Sequence, residues 1–272
     1  MNDVAANAPA ADSVRSLRQA RWTGFKTIVI REYGRIIRIW AQTIVPSAVT
    51  ATLYFVIFGS LIGRRVGAMG GFDYMQYIAP GLIMMAVIQN SYANVVSSFF
   101  GAKFGKHLEE MLVSPLPSWV IVSGYVAGGV VRGLLVGCGV TIVSLLFTHL
   151  HVQHFLIIVA AVLLTSTTFA LGGFLNALYA KNFDQVNWIP TFILTPLTYF
   201  GGVFYSISLL PAWAQKVSFV NPILHMVNAF RFGFLGVSDI DVRVAFTLMV
   251  TAAVALFTTA VLLMNRGSGI RE

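Results

Sequence analysis

The chain has 272 residues, of which 57% are hydrophobic and only 10% are charged, and its mean hydropathy is +0.79. Soluble domains carry roughly one-quarter charged residues, so this composition excludes an ordinary soluble protein and indicates an integral membrane protein. Because one crossing takes about 20 apolar residues, about six crossings use the whole chain and leave no room for a separate catalytic domain.

The net charge of +8 does not require nucleic acid as a partner. The basic residues concentrate ahead of the first apolar run, where membrane orientation and anionic lipid headgroups account for them more simply. We therefore expect membrane lipids as neighbours and no nucleic acid. The single cysteine, Cys138, excludes an intrachain disulfide.

The N-terminal part of the chain divides into a tail and an amphipathic segment. Residues 1–27 are predicted to be a cytoplasmic tail that is partly disordered. Within residues 28–40, Arg31, Arg35 and Arg38 fall on one helical face. Apolar side chains fall on the opposite face: Val29, Tyr33, Ile37 and Trp40. This pattern predicts a connecting helix that lies flat in the membrane interface.

Six apolar segments follow and make residues 41–265 an all-α transmembrane domain. The predicted spans are Ala41–Ile62, Tyr74–Phe100, Trp119–Thr148, Phe155–Ala180, Trp188–Leu209 and Val244–Met264. The fifth is less regular than the others because it contains Pro190 and Pro196. Lys and Arg are more abundant on the N-terminal side of the membrane, so both termini, including the tail 266–272, are predicted to be cytoplasmic.

Glycines in the third predicted span recur at spacings of four residues. They are Gly124, Gly128, Gly129, Gly133 and Gly137. Small residues at this spacing let helix backbones approach closely in lipid, so we interpret them as a packing seam.

The sequence offers little catalytic chemistry. It contains no GxxxxGK[ST] phosphate loop, no HExxH zinc pair and no GxSxG elbow, so we expect neither an enzyme site nor a bound metal or cofactor. His149, His151 and His154 form an HxHxxH cluster, but a solvated connector explains them better than a metal site, since no Cys or acidic residue lies nearby.

Arg132 is the least expected residue, because an arginine near the centre of a span costs about 2.5–3.5 kcal/mol. Either a water-filled path or anionic substrate solvates it, or the span bends so that its side chain reaches the interface. Asn90, Ser91 and Asn94 in the second span are better explained by hydrogen bonds between helices.

The stretch between the second and third spans, FGKHLEEMLVSPLPSW, is unusually rich in charge. A short helix from Lys103 to Val113 is predicted to end at Ser114, Pro115 and Pro117. It carries an acidic pair beside an apolar knob: Glu109, Glu110, Met111, Leu112 and Val113. This arrangement suits docking into a groove of a partner, although the residues alone favour a solvated loop slightly more.

The segment EEMLVSPLP resembles the coupling helix of ABC-2-type permeases, the membrane subunits of ATP-driven exporters. YMQYIAPGLIMM and FGGVFYSISLLP are similar to two further stretches of that family, in the same order. In NPILHMVNAFR, the residues Asn221, Pro222, His225 and Arg231 match the end of its signature. The resemblance runs from about residue 25 to 265 and is strongest to the inner-membrane permeases of Gram-negative bacteria and to the permease of nodulation-factor exporters.

The resemblance implies a permease in the bacterial inner membrane that works as a homodimer, or as a heterodimer with a similar chain, with ATP and Mg²⁺ held by two separate ATPase subunits. It assigns ATPase coupling to the segment between spans two and three: Lys103, Lys106, Glu109, Glu110, Met111, Leu112 and Pro115. It also implies short half-helices that re-enter the membrane from outside between spans five and six. The sequence supports them independently, since Leu209–Gly236 is apolar but is broken by Pro211 and Pro222. A generic interfacial loop is the alternative.

Candidates for the transport path come from several spans. They are Tyr77, Asn90, Arg132, Phe192, Tyr199 and Phe204. For each aromatic residue taken alone, simple packing or a place in the interfacial aromatic belt is the better explanation. The rival function is an ATP-independent transporter or channel that uses Arg132 as a coupling or selectivity charge, although the spans contain almost no acidic residue to carry protons.

Overall fold

The computed structural model describes residues 9–63 and 67–269, and most of them are helical. The α-helices are α1 (Pro9–Arg38), α2 (Trp40–Tyr54), α3 (Tyr74–Phe104), α4 (His107–Val113), α5 (Ser118–Leu145), α6 (Phe155–Tyr179), α7 (Phe183–Ile189), α8 (Thr195–Tyr199), α9 (Ala212–Val220), α10 (Pro222–Leu235) and α11 (Val242–Asn265). Two π-helical stretches, Phe55–Ile62 and Pro190–Leu194, continue α2 and α7, and Ile207–Leu209 is a 3₁₀ turn. A minimal antiparallel hairpin, β1 (Ala68–Met69) and β2 (Phe72–Asp73), precedes α3.

Four of the helical stretches are long and apolar enough to cross a membrane. They are Trp40–Gly59, Ser118–Leu145, Phe155–Tyr179 and Val242–Asn265, and each coincides with a predicted span. The prediction of a mainly helical membrane protein is therefore confirmed at this coarser level. The predicted second span corresponds to α3, whose middle is less apolar because it carries Gln89, Asn90 and Asn94.

The predicted fifth span has different bounds in the structure. Helical geometry begins at Phe183, five residues before the predicted start, and ends at Tyr199 rather than at Leu209. Pro190 and Pro196 lie inside this stretch, and the backbone hydrogen bonds that a proline cannot donate leave it partly π-helical. Non-helical turns follow, with Gly202 at a φ of +68°.

α3 is the central helix of the bundle. Almost every residue from Tyr77 to Ile88 is buried, because α5, α6 and α10 all pack against it. Small residues bring these helices together: a Cβ at Gly129 of α5 would lie 2.8 Å from the Cβ of Ala170 on α6 and 3.0 Å from the carbonyl oxygen of Ser91 on α3. The interpretation of the glycines as a packing seam is confirmed.

α1 differs from the predicted tail and interfacial helix in its extent. It is helical from Pro9, so part of the tail predicted over residues 1–27 belongs to the same helix as residues 28–38. Its contacts with α5 repeat at successive turns, since Ile28 lies against Gly124 and Glu32 lies against Gly128. α1 therefore runs lengthwise along the first half of α5, in the same direction.

The buried face of α1 is also not the apolar face that the sequence favours. Ile28, Glu32 and Ile36 are buried at 5%, 1% and 1% exposure, whereas Tyr33 and Ile37 remain exposed. The face that carries Glu32 turns toward the bundle instead, because Gly124 and Gly128 of α5 leave room for Ile28 and Glu32 there.

Candidate functional site

The coupling segment, residues 103–117, folds back sharply after α3. Gly105 ends that helix and Lys106 has a φ of +61°, the only non-glycine residue with a positive φ in the described part of the chain. α4 then begins at His107, and Leu108 anchors it with a side chain only 2% exposed. The prediction of a short helix between the second and third spans agrees with α4, although it starts four residues later than Lys103.

The outer face of α4 combines charge with apolar surface. Glu109 and Glu110 lie exposed in its first turn, and Met111 packs partly on the core. Leu112 is 39% exposed and Val113 is 87% exposed. The structure therefore brings the predicted acidic pair and apolar knob together on an anchored surface helix.

Lys103 and Lys106 have different surroundings although both were predicted as coupling residues. The Nζ of Lys103 donates hydrogen bonds to the carbonyl oxygens of Leu178 and Ala180, at 2.7 and 3.0 Å, where α6 ends. Lys106 is exposed at the turn. Lys103 thus fixes the base of the segment to α6, while Lys106 is free to meet solvent or a partner.

The far end of the segment rests on α1. The Ser114 hydroxyl donates a hydrogen bond to the carbonyl oxygen of Met111 at 2.6 Å and ends α4. Leu116 packs directly against Gly24 of α1, while the preceding residue, Pro115, is exposed. The coupling segment is therefore held at one end by α6 and at the other by α1.

Two short helices, α9 and α10, occupy the predicted re-entrant region. α10 has 14 residues and spans about 21 Å, too short for a bilayer core of about 30 Å. Asn221 caps α10, since its Oδ1 accepts from the Ile223 amide at 3.0 Å and its Nδ2 donates to Leu197 O at 2.6 Å. Pro222 occupies the first helical position, where its missing N–H costs nothing.

The other two signature residues are buried. His225 is 5% exposed, and its Nε2 lies 2.9 Å from the Phe219 carbonyl oxygen. Arg231 is fully buried; its Nε donates to Tyr77 O at 3.2 Å and its Nη2 donates to Gly202 O at 2.7 Å. The guanidinium also lies 4.0 Å from the centroid of the Tyr77 ring. Arg231 joins α10 to α3 and to the turn after α8.

Asp239 is a functional candidate that the sequence reasoning missed. It accepts hydrogen bonds from the Tyr77 hydroxyl at 3.3 Å, the Ser206 hydroxyl at 2.7 Å and the Ile207 amide at 3.2 Å. Tyr77, Ser206 and Asp239 line a cavity of about 440 Å³ beside the β-hairpin. In the sequence, Asp239 reads only as part of a polar loop before α11, so no local signal pairs it with Tyr77.

The aromatic path candidates do not form one group. Phe204 is 8% exposed and stacks on Phe58 and Tyr199, with centroids 4.8 and 5.8 Å apart. The Tyr54 and Tyr199 hydroxyls lie 3.2 Å apart and join α2 to α8. Tyr77 lies elsewhere, beneath Arg231, and the 64% exposed Phe192 contacts Trp188 instead.

Asn90 behaves as a bridge between helices. Its Nδ2 donates to the Ser47 hydroxyl of α2 at 3.0 Å and to the Ala86 carbonyl oxygen at 3.0 Å. This contact favours the interpretation of the polar residues in α3 as interhelical hydrogen-bonding groups.

A charged cluster lies where α1 meets α3 and α5, and its central residue is Glu32. This carboxylate accepts a hydrogen bond from Arg35 at 2.9 Å and another from Ser98. Arg35 also donates to Asn94 Oδ1 at 2.8 Å, and Arg31 donates to the Tyr125 hydroxyl at 2.6 Å. α1 is thus attached to the bundle by polar contacts as well as by glycine packing.

Arg132 stands at the edge of this cluster. Its Nε is buried and has no hydrogen-bond partner among the described residues. Burial disfavours the positive charge of Arg132, and the positive charge of Arg35 repels it. Three arginines, Arg31, Arg35 and Arg132, therefore lie around the single carboxylate of Glu32. The sequence reasoning singled out Arg132 but missed Glu32, because Glu32 lies among arginines in a helix assigned to the membrane surface.

The HxHxxH cluster shows no ligand geometry. His154 stacks on Phe232 at 5.2 Å, and no group of three potential metal ligands occurs within the parts of the chain that the structure describes.

Comparison with known proteins agrees with this architecture. Residues 23–235 match the family model described as ABC-2 type transporter. The chain is 52% identical over 251 residues to the inner membrane transport permease YadH of Escherichia coli K12, covering 92% of this chain and 98% of that protein. It is 25% identical over 185 residues to nodulation protein J of Rhizobium leguminosarum bv. viciae, covering 68% of this chain and 71% of that one. It is 21% identical over 215 residues to nodulation protein J of Neorhizobium galegae. The chain therefore belongs to the ABC-2 type transporter family.

Proposed function

We propose that the chain is the permease subunit of an ATP-driven exporter in the bacterial inner membrane. It forms the substrate path as a homodimer, and two separate ATPase subunits bind ATP and Mg²⁺ and drive it. The 52% identity with an inner membrane transport permease supports the location and the transport role. The chain itself has no phosphate-binding loop.

The observation that carries the proposal is the construction of α4. A helix of seven residues cannot hold its shape alone, yet here Leu108 fixes it to the bundle while Glu109, Glu110 and Val113 point outward. An apolar centre with an acidic rim is the pattern of a surface that docks in a partner's groove. A force on α4 passes to α6 through Lys103 and to α1 through Leu116.

The proposed topology has six spans with both termini in the cytoplasm. The sequence of crossings is α2, α3, α5, α6, the broken helix from Phe183 to Tyr199, and α11. α9 and α10 enter and leave on the outer side. The buried Arg231 supports this arrangement, because its Nη2 supplies a hydrogen-bond donor for the carbonyl group of Gly202, which lies in the non-helical turn after α8 and would have no water at membrane depth.

The path is proposed to run along the face that α2 and α8 share. Tyr199 is 46% exposed there, beside Tyr54 and the stacked Phe204. In a homodimer, this face lies against its copy, and closure of the ATPases moves the two permeases as rigid bodies so that the path opens in alternation.

An ATP-independent transporter that uses Arg132 is the second candidate. The buried Glu32 favours it, since it supplies the acidic group that the sequence reasoning did not find in the membrane region. However, Glu32 is already bonded to Arg35 and Ser98, so it lacks the free proton acceptor that coupling needs. Its arrangement fits a structural tie better than a proton carrier.

The test is a pull-down of tagged protein from detergent-solubilised native membranes, with ATP hydrolysis assayed in the eluate. The Glu109→Lys, Glu110→Lys double variant is expected to insert normally but to lose the hydrolysis. Asp184→Lys, a charge reversal in the exposed first turn of the broken helix that follows α6, serves as the matched control and should retain it. Absence of any ATPase from the wild-type eluate in several detergents would reject the exporter and leave the Arg132 transporter.

A further inference from the structure

A groove of about 690 Å³ lies between α1 and the beginning of α5. Six residues line it: Arg18, Arg21, Trp22, Phe25, Trp119 and Ser123. Trp22 is 66% exposed and Trp119 is 46% exposed, although both are large apolar side chains. Trp22 stacks on Phe25 with ring centroids 5.9 Å apart and forms one wall. The groove is therefore an open apolar slot with aromatic sides.

Its two cations have no internal counterion. Neither Arg18 nor Arg21 has a hydrogen bond or an ion pair with any side chain that the structure describes, whereas Arg31 and Arg35 on the same helix are both engaged. Arg18 and Arg21 are three residues apart, so they share one face of α1. Two positive charges thus stand together at one end of the slot.

The charged and the aromatic parts of the slot lie at different depths along α1. Arg18 precedes Phe25 by seven residues, which is about 10 Å along a helix. Since α1 runs alongside α5 and toward its middle, the arginines lie at the end of the bundle and the rings lie deeper. A charged entrance followed by an apolar channel matches a molecule with an anionic head and an alkyl tail. Trp side chains also favour the depth at which such heads meet such tails.

We propose that this groove binds an anionic phospholipid. The lipid phosphate lies against Arg18 and Arg21, and one acyl chain lies between Trp22 and Trp119. A zwitterionic lipid is a poorer occupant, because its own cation comes near the two arginines. The inference concerns α1 and α5 only, and it holds whether or not an ATPase docks on the coupling segment.

Brominated lipids test the site directly, because bromine quenches tryptophan fluorescence only on contact. The full chain contains five tryptophans, and the triple variant Trp40→Phe, Trp188→Phe, Trp213→Phe leaves the two in the groove as reporters. This protein is placed in phosphatidylcholine vesicles with increasing fractions of brominated phosphatidylglycerol, or of brominated phosphatidylcholine. Phosphatidylglycerol should reach half-maximal quenching at a clearly lower fraction.

The arginines should account for that preference. Arg18→Gln with Arg21→Gln should raise the half-maximal fraction of phosphatidylglycerol by up to about 30-fold, since each basic residue near an anionic surface contributes about 1 kcal/mol. Arg38→Gln, an exposed arginine of the same helix outside the groove, should leave it unchanged. Ser123→Phe should fill the slot and reduce quenching while both arginines remain.

Three results would overturn the proposal. Equal quenching by the two brominated lipids would mean ordinary contact with the bilayer. An equal effect of Arg38→Gln and of the double variant would mean a general surface charge. If inorganic phosphate, added at constant ionic strength, abolished the preference for phosphatidylglycerol, the arginines would be a binding site for a soluble anion. Each variant is first compared with the parent by circular dichroism and gel filtration, so that loss of fold is recognised separately.

Discussion

Replacement of Glu32 by glutamine is expected to loosen α1 from the bundle. The carboxylate is 1% exposed, and it accepts from Arg35 at 2.9 Å and from Ser98. With glutamine, Ser98 can keep a neutral hydrogen bond, but Arg31 and Arg35 both lose the carboxylate that they pair with, and Arg35 still faces Arg132.

The size of the effect follows from these contacts. Breaking a buried ion pair costs about 3–5 kcal/mol, and a charge-assisted hydrogen bond contributes about 1.5–3 kcal/mol. The Arg35 side chain is 30% exposed, and its bond to Asn94 survives, so the lower part of that range applies. We expect Glu32→Gln and Arg35→Gln each to lower the free energy of unfolding by about 2–3 kcal/mol.

The assay is equilibrium unfolding by sodium dodecyl sulfate in mixed micelles, followed by tryptophan fluorescence. The Glu32→Gln, Arg35→Gln double variant should lose less than the sum of the single losses, by about 1–3 kcal/mol, because the two residues share one interaction. Arg38→Gln is the control and should change stability by no more than about 0.5 kcal/mol. Strict additivity of the two single losses, or an unchanged Glu32→Gln protein, would refute the reasoning.

Four further substitutions test other contacts by the same unfolding assay. Gly129→Ala should lower the free energy of unfolding by about 1–3 kcal/mol, because the new Cβ would meet the Cβ of Ala170 at 2.8 Å. Gly101→Ala is the control: its Cβ would point into open space, so it should stabilise the helix by about 0.5–1 kcal/mol. A Gly129→Ala protein of unchanged stability would contradict the packing seam. Lys103→Ala should cost about 1.5–3 kcal/mol, since it removes two hydrogen bonds to the end of α6, and no loss would mean that these bonds do not form. Arg231→Met should cost about 3–5 kcal/mol, because it breaks two charge-assisted hydrogen bonds of about 1.5–3 kcal/mol each and leaves the Gly202 carbonyl group without a donor, and a neutral result would show that water satisfies that group.

The features that sequence predicted well are those with a local signal. Long apolar runs located α2, α5, α6 and α11, and the four-residue glycine spacing located the packing seam. The charged stretch with its prolines located α4.

The features that sequence did not predict depend on contacts far along the chain. Glu32 is 66 residues from Ser98, and Asp239 is 162 residues from Tyr77. The arginines of α1 are typical of a helix at the membrane surface, and the sequence alone does not show that α3 and α5 pack against that helix. The fifth predicted span continued through an apolar run to Leu209, although prolines and the glycines after Tyr199 end the helix earlier.

The packing seam and the charged cluster depend on each other. Because Gly128 has no side chain, Glu32 can lie against the backbone of α5, and a Cβ there would meet the Cβ of Glu32 at 2.8 Å. The same helix α1 carries Gly24, against which Leu116 of the coupling segment packs. In the proposed exporter, a displacement of α4 would therefore reach α3 and α5 through the packing of α1 as well as along the covalent backbone. Variants at Gly24 or Glu32 should then uncouple ATP hydrolysis from transport without touching the surface of α4, which distinguishes transmission of the force from docking of the ATPase.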